Sequence, residues 1–186
     1  MIIGITGTLG AGKTTCVSFL EEKGFIHYSV RDFLVEHIKE RGMPVDRNSM
    51  VVVANDLRAN HGASYLAKEL FKRAQERGGD VVIESLRAPA EITELRHHAD
   101  QENPFIMLAI DAPVETRYER IKTRKSETDM ISFEEFKTSE EREMYSDDPA
   151  KQNLAACIGM ADVKIVNDGT KEEFMKRLED AIWHNA

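Results

Sequence analysis

Gly7-Thr8-Leu9-Gly10-Ala11-Gly12-Lys13-Thr14 is the stretch on which the reading of this chain turns. It satisfies G-x-x-x-x-G-K-[ST] in full, the pattern of a loop that wraps phosphate. Its glycines let the backbone curl so that several N–H groups point inward at an anion. The flanks agree with this reading. Residues 1–6 (MIIGIT) are apolar and β-branched and read as a buried strand; residues 14–23 read as a helix stopped by Gly24. The helix N-terminus adds partial positive charge to the loop. Lys13 is expected to neutralise the β and γ oxygens of a triphosphate, and the Thr14 hydroxyl to coordinate Mg²⁺. Gly7, Thr8, Leu9, Gly10, Ala11, Gly12, Lys13 and Thr14 thus form a candidate ATP-binding set. Thr15 reads two ways, as an α-phosphate contact or as first-turn packing. Cys16 reads as a small buried residue rather than a nucleophile. The plain alternative, a glycine-rich turn with a solvated lysine, does not account for the strand–loop–helix context.

Outward from this loop, residues 25–28, 80–84 (DVVIE), 105–110 (FIMLAI) and 162–166 (DVKIV) read as further strands. Helical patterns fall at 31–41, 48–60, 64–77, 89–98, 113–124, 133–144, 153–160 and 171–183. Strands alternating with helices predict a parallel sheet of about five strands covered on both faces, a three-layer α/β/α P-loop fold with right-handed crossovers. A length of 186 residues fits one domain spanning 1–186. The excursion 31–77 is longer than one crossover needs and is the expected wall of an acceptor-binding region. Residues 125–149 are rich in charge and hydroxyls and poor in apolar side chains. They read as a mobile lid that supplies little core.

Hydrophobic residues make up 41% and charged residues 31%, and the net charge is -8. A soluble globular chain of this sign is not expected to bind nucleic acid or anionic membrane generally. Cys16 and Cys157 are the two cysteines. They are too few for a disulfide framework or a four-ligand zinc site, so reduced thiols in the cytoplasm are expected. No apolar run approaches the roughly 20 residues of a membrane span, and the start lacks a signal-peptide pattern. His97 and His98 are adjacent and cannot share a helix face. A monomer or small homo-oligomer is expected.

The loop alone implies nucleoside-triphosphate binding and does not choose between a switch, a motor and a kinase. No Asn-Lys-x-Asp run for reading guanine is present, and no second acid follows Glu84 to polarise a hydrolytic water. Glu84, at the end of DVVIE, reads either as a water-mediated Mg²⁺ contact or as a cap for the next turn. Arg117, Arg120 and Arg124 are spaced by three and four residues and share a helix face beside the apolar stripe Val114, Tyr118 and Ile121. Such arginines stabilise a transferring phosphoryl group; otherwise they form a solvated face paired with Glu115 and Glu119. Arg120 and Arg124 are the stronger catalytic candidates. Asp32 sits where a cap or a catalytic carboxylate would stand. Arg87 suits a bidentate grip on an acceptor anion. Arg58, with no motif around it, reads equally as a surface residue.

Taken in order, GTLGAGKT, VVIESLR, DAPVETRYERIKTR and IVNDGT resemble the P-loop nucleoside monophosphate kinase superfamily over nearly the whole chain. Within it the chain is similar to dephospho-coenzyme A kinases. It also resembles a mainly archaeal adenylate-kinase-like family, which shares the SVRDFL start, the EEF run of the insert and ADVKIVNDGTKEEF. The resemblance implies that Arg120 and Arg124 act as lid arginines and Arg87 as an acceptor-phosphate arginine. It implies that Asn167, Gly169 and Thr170 touch adenine. Three departures concern the acceptor side: Val35 stands where adenylate kinases carry an arginine, the turn after VVIE lacks their Gly-Phe-Pro-Arg form, and no Asp-x-Asp pair surrounds Asp32. The expected function is transfer of the γ-phosphoryl of ATP, with Mg²⁺, to a nucleotide-like acceptor. The alternative is a nucleotide-binding regulatory ATPase module without such an acceptor.

Overall fold

The computed structural model describes residues 1–124 and 131–183. Five parallel strands form one sheet in the order β2-β3-β1-β4-β5: β1 Ile2–Gly7, β2 Ile26–Ser29, β3 Val81–Glu84, β4 Phe105–Asp111 and β5 Val163–Val166. The helices among the described residues are α1 Lys13–Glu22, α2 Val30–Glu40, α3 Arg47–His61, α4 Tyr65–Arg77, α5 Pro89–His97, α6 Val114–Arg124, α7 Phe133–Met144, α8 Leu154–Gly159 and α9 Lys171–Trp183. Each expected element is present, with its ends displaced by a residue or two.

Strand periodicity sorts the apolar residues into two cores. Ile3, Ile5, Val82, Leu108 and Ile110 face α1 and α9, where they meet Phe19, Leu20, Phe174 and Leu178. Val81, Ile83 and Met107 face the other way, into Phe33, Leu57, Leu70 and Leu95 of the helices between β2 and β4. The long excursion is thus a second helical layer: α4 lies against β2 and β3, and α2 and α3 pack outside it. No helix among the described residues is long and apolar enough to cross a membrane.

The sheet order puts β1 at its centre, with β3 on one side and β4 on the other. The carboxyl ends of these three strands, at Gly7, Glu84 and Asp111, therefore converge where open α/β sheets hold their ligands.

The insert departs from its expected character. Residues 125–130 lie outside the described residues, but α7 is docked, not a loose cover. Phe136 is fully buried, with its ring 5.7 Å from Tyr118, and the Arg117 guanidinium lies over it. Phe133 packs edge-on against Tyr118 at 5.0 Å. The pair three residues apart gives α7 an apolar face that its charge-rich composition hides. The stripe expected on α6 is likewise narrower: Ile121 is buried, Val114 and Tyr118 are half-buried, and Arg117 takes the remaining inward position.

Candidate functional site

The loop from Gly7 to Gly12 joins β1 to α1. Gly12 is the residue before the helix, at φ 110, and a Cβ there would lie 2.3 Å from Asn167 Nδ2. Gly10 is at φ 79, and its Cβ would lie 2.5 Å from the Arg117 carbonyl oxygen. Both positions need the left-handed conformation and bare space at once. Thr8 is held by its hydroxyl, which donates to Asp111 Oδ1 at 2.5 Å. Asn167 Nδ2 donates to the Ala11 carbonyl at 2.8 Å. The loop is thus clamped from β4 on one side and from the end of β5 on the other.

Lys13 Nζ folds back over this loop and donates to the carbonyls of Gly7 at 2.9 Å and Thr8 at 2.7 Å. Burial, then the positive charge of Arg87, lower its pKa from 10.5 to about 7, against the opposing pull of Glu84 and Glu143. A cation held this far below its ordinary value gains most from an arriving anion.

One cavity of about 680 Å³ opens in front of the loop. Its donor wall carries Leu9, Gly10, Gly12, Lys13, Thr14 and Thr15, with Arg120 and Arg124 of α6. Its far wall comes from α2 and α3: Val30, Leu34, Met50, Val51 and Ala54 are apolar, and Arg31, Arg47 and Arg58 are basic. Between the walls lie Glu84, Ser85, Arg87, Glu143 and Gln152.

Glu84 stands at the end of β3 with both carboxylate oxygens engaged, by the hydroxyls of Ser29 (2.9 Å) and Ser85. Ser85 is at φ 68, the one positive-φ residue other than glycine among the described residues, where the chain turns out of the sheet. Arg87 follows. Its guanidinium donates to Glu143 and, at 3.3 Å, to Gln152. Arg58 is 2% exposed and so is no surface residue. Its Nε and Nη2 donate to Glu91 Oε1 at 2.9 and 2.8 Å. Glu91 Oε2 accepts the backbone N–H groups of Arg87 and Ala88 at 2.9 and 3.0 Å. Glu91 thereby fixes both the Arg58 side chain and the turn that carries Arg87.

Several sequence expectations need correction. Asp32 is 72% exposed and does not line the cavity. Ser29 caps α2 by accepting the Asp32 N–H at 3.2 Å, which puts Asp32 in the third helical position on the outer face. Arg31, its neighbour, is the residue that reaches the cavity. Gly169 and Thr170 are exposed and do not line the cavity either. Thr170 Oγ1 accepts the Glu173 N–H at 3.2 Å and caps α9. Asn167 is buried behind the loop rather than open to a base. Arg117 is also buried: it donates to the carbonyls of Ala112 (2.7 Å) and Leu9 (3.4 Å) and to Glu140 of α7 (3.0 Å). It braces the loop and does not face the cavity. Arg120 bridges the Ala11 carbonyl (3.4 Å) and the Asn167 carbonyl (3.2 Å) while lining the cavity.

Arg47, Glu143 and Gln152 are cavity residues that sequence reasoning passed over. Only the Phe133/Phe136 spacing, which implies that α7 docks, pointed toward Glu143. The two cysteines are buried, and burial raises both thiols, Cys157 to about 12, so neither is set up as a nucleophile.

Among the described residues no group of three or more His, Cys, Asp or Glu could hold a metal ion. Thr14 and Glu84 are hard oxygen donors lining the same cavity. They fit Mg²⁺ that keeps its waters and takes further ligands from phosphate oxygens.

Residues 3–145 match the family described as an AAA domain. A UPF0200 protein of Thermococcus kodakarensis is 31% identical over 188 residues, covering 98% of each chain. Among solved structures, TT1252 from Thermus thermophilus superposes with a TM-score of 0.61 at 20% identity, over 99% of this chain and 96% of that one. Shikimate kinase from Aquifex aeolicus does so with a TM-score of 0.53 at 19% identity, over 100% and 98%. Deoxyadenosine kinase from M. mycoides with bound dATP gives 0.54 at 15% identity, over 97% and 98%. At these identities the structures speak for the fold. The identity of 31% over 98% of both chains makes this chain a member of the UPF0200 family, with an AAA-type domain over residues 3–145 and the fold of the small P-loop kinases.

Proposed function

We propose that the chain transfers the γ-phosphoryl group of ATP to a small nucleotide-like acceptor. One observation carries this reading: the loop that would hold the triphosphate and a separate basic and apolar wall share a single cavity of about 680 Å³. That volume is within the range of sites that enclose small molecules. A module that only bound ATP would have no use for the second wall.

In this reading the loop amides and Lys13 hold the β and γ phosphates, and Arg120 and Arg124 meet charge on the transferring group. Mg²⁺, when bound, would neutralise phosphate charge, with Thr14 and Glu84 as its nearest protein oxygens. An acceptor oxygen forms a bond to the γ phosphorus as the bond to the β–γ bridging oxygen breaks, and ADP leaves. Among the described residues the carboxylates lining the cavity, Glu84 and Glu143, already accept hydrogen bonds or ion pairs, and Asp32 lies outside. An acceptor that is already a phosphate needs no base, and the arrangement favours that class over a neutral hydroxyl. Before an acceptor arrives, docked α7 closes one side of the cavity through Glu143.

ADP release from Mg·ATP, screened against AMP, CMP, UMP, GMP, their deoxy forms and dephospho-coenzyme A, tests the proposal. One acceptor should raise turnover far above the ATP-only rate. No stimulation with ATP binding intact would move the chain to the regulatory class.

Lys13 supplies a second test. At pH 7.5 a group with a pKa near 7 is mostly neutral, and a triphosphate beside it restores the charged form. Binding of Mg·ATP should therefore take up protons at that pH, read by calorimetry in buffers of different ionisation enthalpy. Uptake should vanish in Lys13→Ala; proton release on binding would contradict the assignment.

A further inference from the structure

The basic wall of the cavity is already occupied by a side chain of the protein itself. Glu143, near the end of α7, is 5% exposed and lines the cavity. Its Oε1 accepts from Arg47 Nη2 at 2.8 Å and its Oε2 from Arg87 Nη1. Both arginines line the same cavity. Arg58, beside them, is nine-tenths buried and more, and its Nη1 has no hydrogen-bond partner. A buried guanidinium donor left unpaired is costly and marks a place where an acceptor oxygen belongs. Glu91 cannot supply that oxygen, because both of its oxygens are taken.

Charge points the same way. Three arginines, Arg47, Arg58 and Arg87, are gathered here, and Glu143 offers them one charge and two oxygens. A phosphate dianion in its place brings a second charge and a further oxygen, available to Arg58 Nη1. Another carboxylate brings neither. Beside the cluster, Leu34, Met50 and Ala54 offer an apolar surface with no hydrogen-bonding side chain.

We infer that Glu143 is a resident stand-in for the acceptor's phosphate, and that a phosphate monoester with an apolar or aromatic body displaces it from Arg47 and Arg87. Displacement frees the end of α7 from the body, so acceptor binding and the docking of α7 are opposed. The word acceptor rests on the phosphotransfer reading above; the exchange of anions does not, and binding alone reads it.

The experiment uses the full chain saturated with Mg·ADP, so that the loop is filled, with phenyl phosphate as the probe in calorimetry and benzoate as its carboxylate counterpart. Phenyl phosphate should bind more tightly than benzoate. Glu143→Gln should tighten phenyl phosphate by at least about fivefold, the low end of a competitive coupling, and by more than it changes the affinity for ADP. In the unaltered chain, saturating phenyl phosphate should speed amide exchange in residues 139–144 of α7. Benzoate binding the more tightly, an unchanged or weaker affinity in Glu143→Gln, or α7 exchange that is unchanged or slowed would each overturn the inference. Should Glu143→Gln not fold, the exchange measurement on the unaltered chain decides alone. Failure here with ADP bound normally and an acceptor found in the screen leaves the kinase reading standing; failure of the screen with phenyl phosphate bound as described leaves the anion site standing.

Discussion

Lys13→Ala gives a folded chain whose acceptor-dependent turnover falls by at least about 10²–10³-fold, the loss typical of one preorganised charge at a reacting centre. The fold should survive because burial disfavours the ammonium where it lies, against its two hydrogen bonds to the Gly7 and Thr8 carbonyls. Its pKa is about 7 in the folded chain against an ordinary 10.5, so between those values the unfolded chain binds more protons. Stability of the unliganded chain therefore rises with pH from about 7 toward 10.5, and the cost of burying the cation is fully present below 7. Lys13→Ala should lose that rise, and at neutral pH it should melt no lower than the parent chain. Single-turnover assays and melting curves from pH 6 to 10 check both statements. Retained turnover would remove Lys13, and with it the phosphate-binding role of the loop, from the mechanism.

Glu91→Gln is the variant expected to cost most in stability, about 3–5 kcal/mol. The Arg58–Glu91 pair is essentially sealed from solvent, at 1% and 0% side-chain exposure. Glutamine leaves the guanidinium charged with no counter-ion at hydrogen-bond distance. Its amide must also turn an N–H toward a donor, because all four groups now facing the carboxylate donate hydrogen bonds. In a chain of this size such a loss lowers the melting temperature by roughly 10 °C or more. The paired change Arg58→Met with Glu91→Gln should recover much of it, since no charge is orphaned and the glutamine carbonyl still accepts the Arg87 and Ala88 N–H groups. A Glu91→Gln chain that melts with the parent would mean that solvent reaches Arg58.

The fold was readable because its signals are local. Strands such as FIMLAI are short, apolar and bounded by turn residues, and a glycine follows each of α1, α2, α3 and α4. The donor side was readable for the same reason, since eight consecutive residues carry it. The acceptor side was not, because its residues come from α2, α3, the β3–α5 turn and α7, and meet only through the tertiary fold. Arg58 looked like any surface arginine, since nothing in its neighbourhood betrays Glu91 thirty-three residues later. Glu143 lay in a segment whose charge reads as solvated. Asp32 misled in the opposite sense: an acid near a helix start suggests chemistry or a cap, and Ser29, three residues earlier, had already taken the cap.

The two apolar cores on opposite faces of the sheet have a bearing on how such a chain can be altered. Phe19, Leu20 and Leu178 belong to one, Phe33, Leu57 and Leu70 to the other, and the strands stand between them as a partition. Side chains that share no neighbours combine additively. A stabilising change beneath α1 and α9 therefore forms a reserve that can be drawn on later by a destabilising change in the wall made by α2 and α3. The partition lets one half of the molecule drift in shape while the half that grips phosphate is repaired separately, which is the structural condition for a lineage to try new partners without first losing its fold.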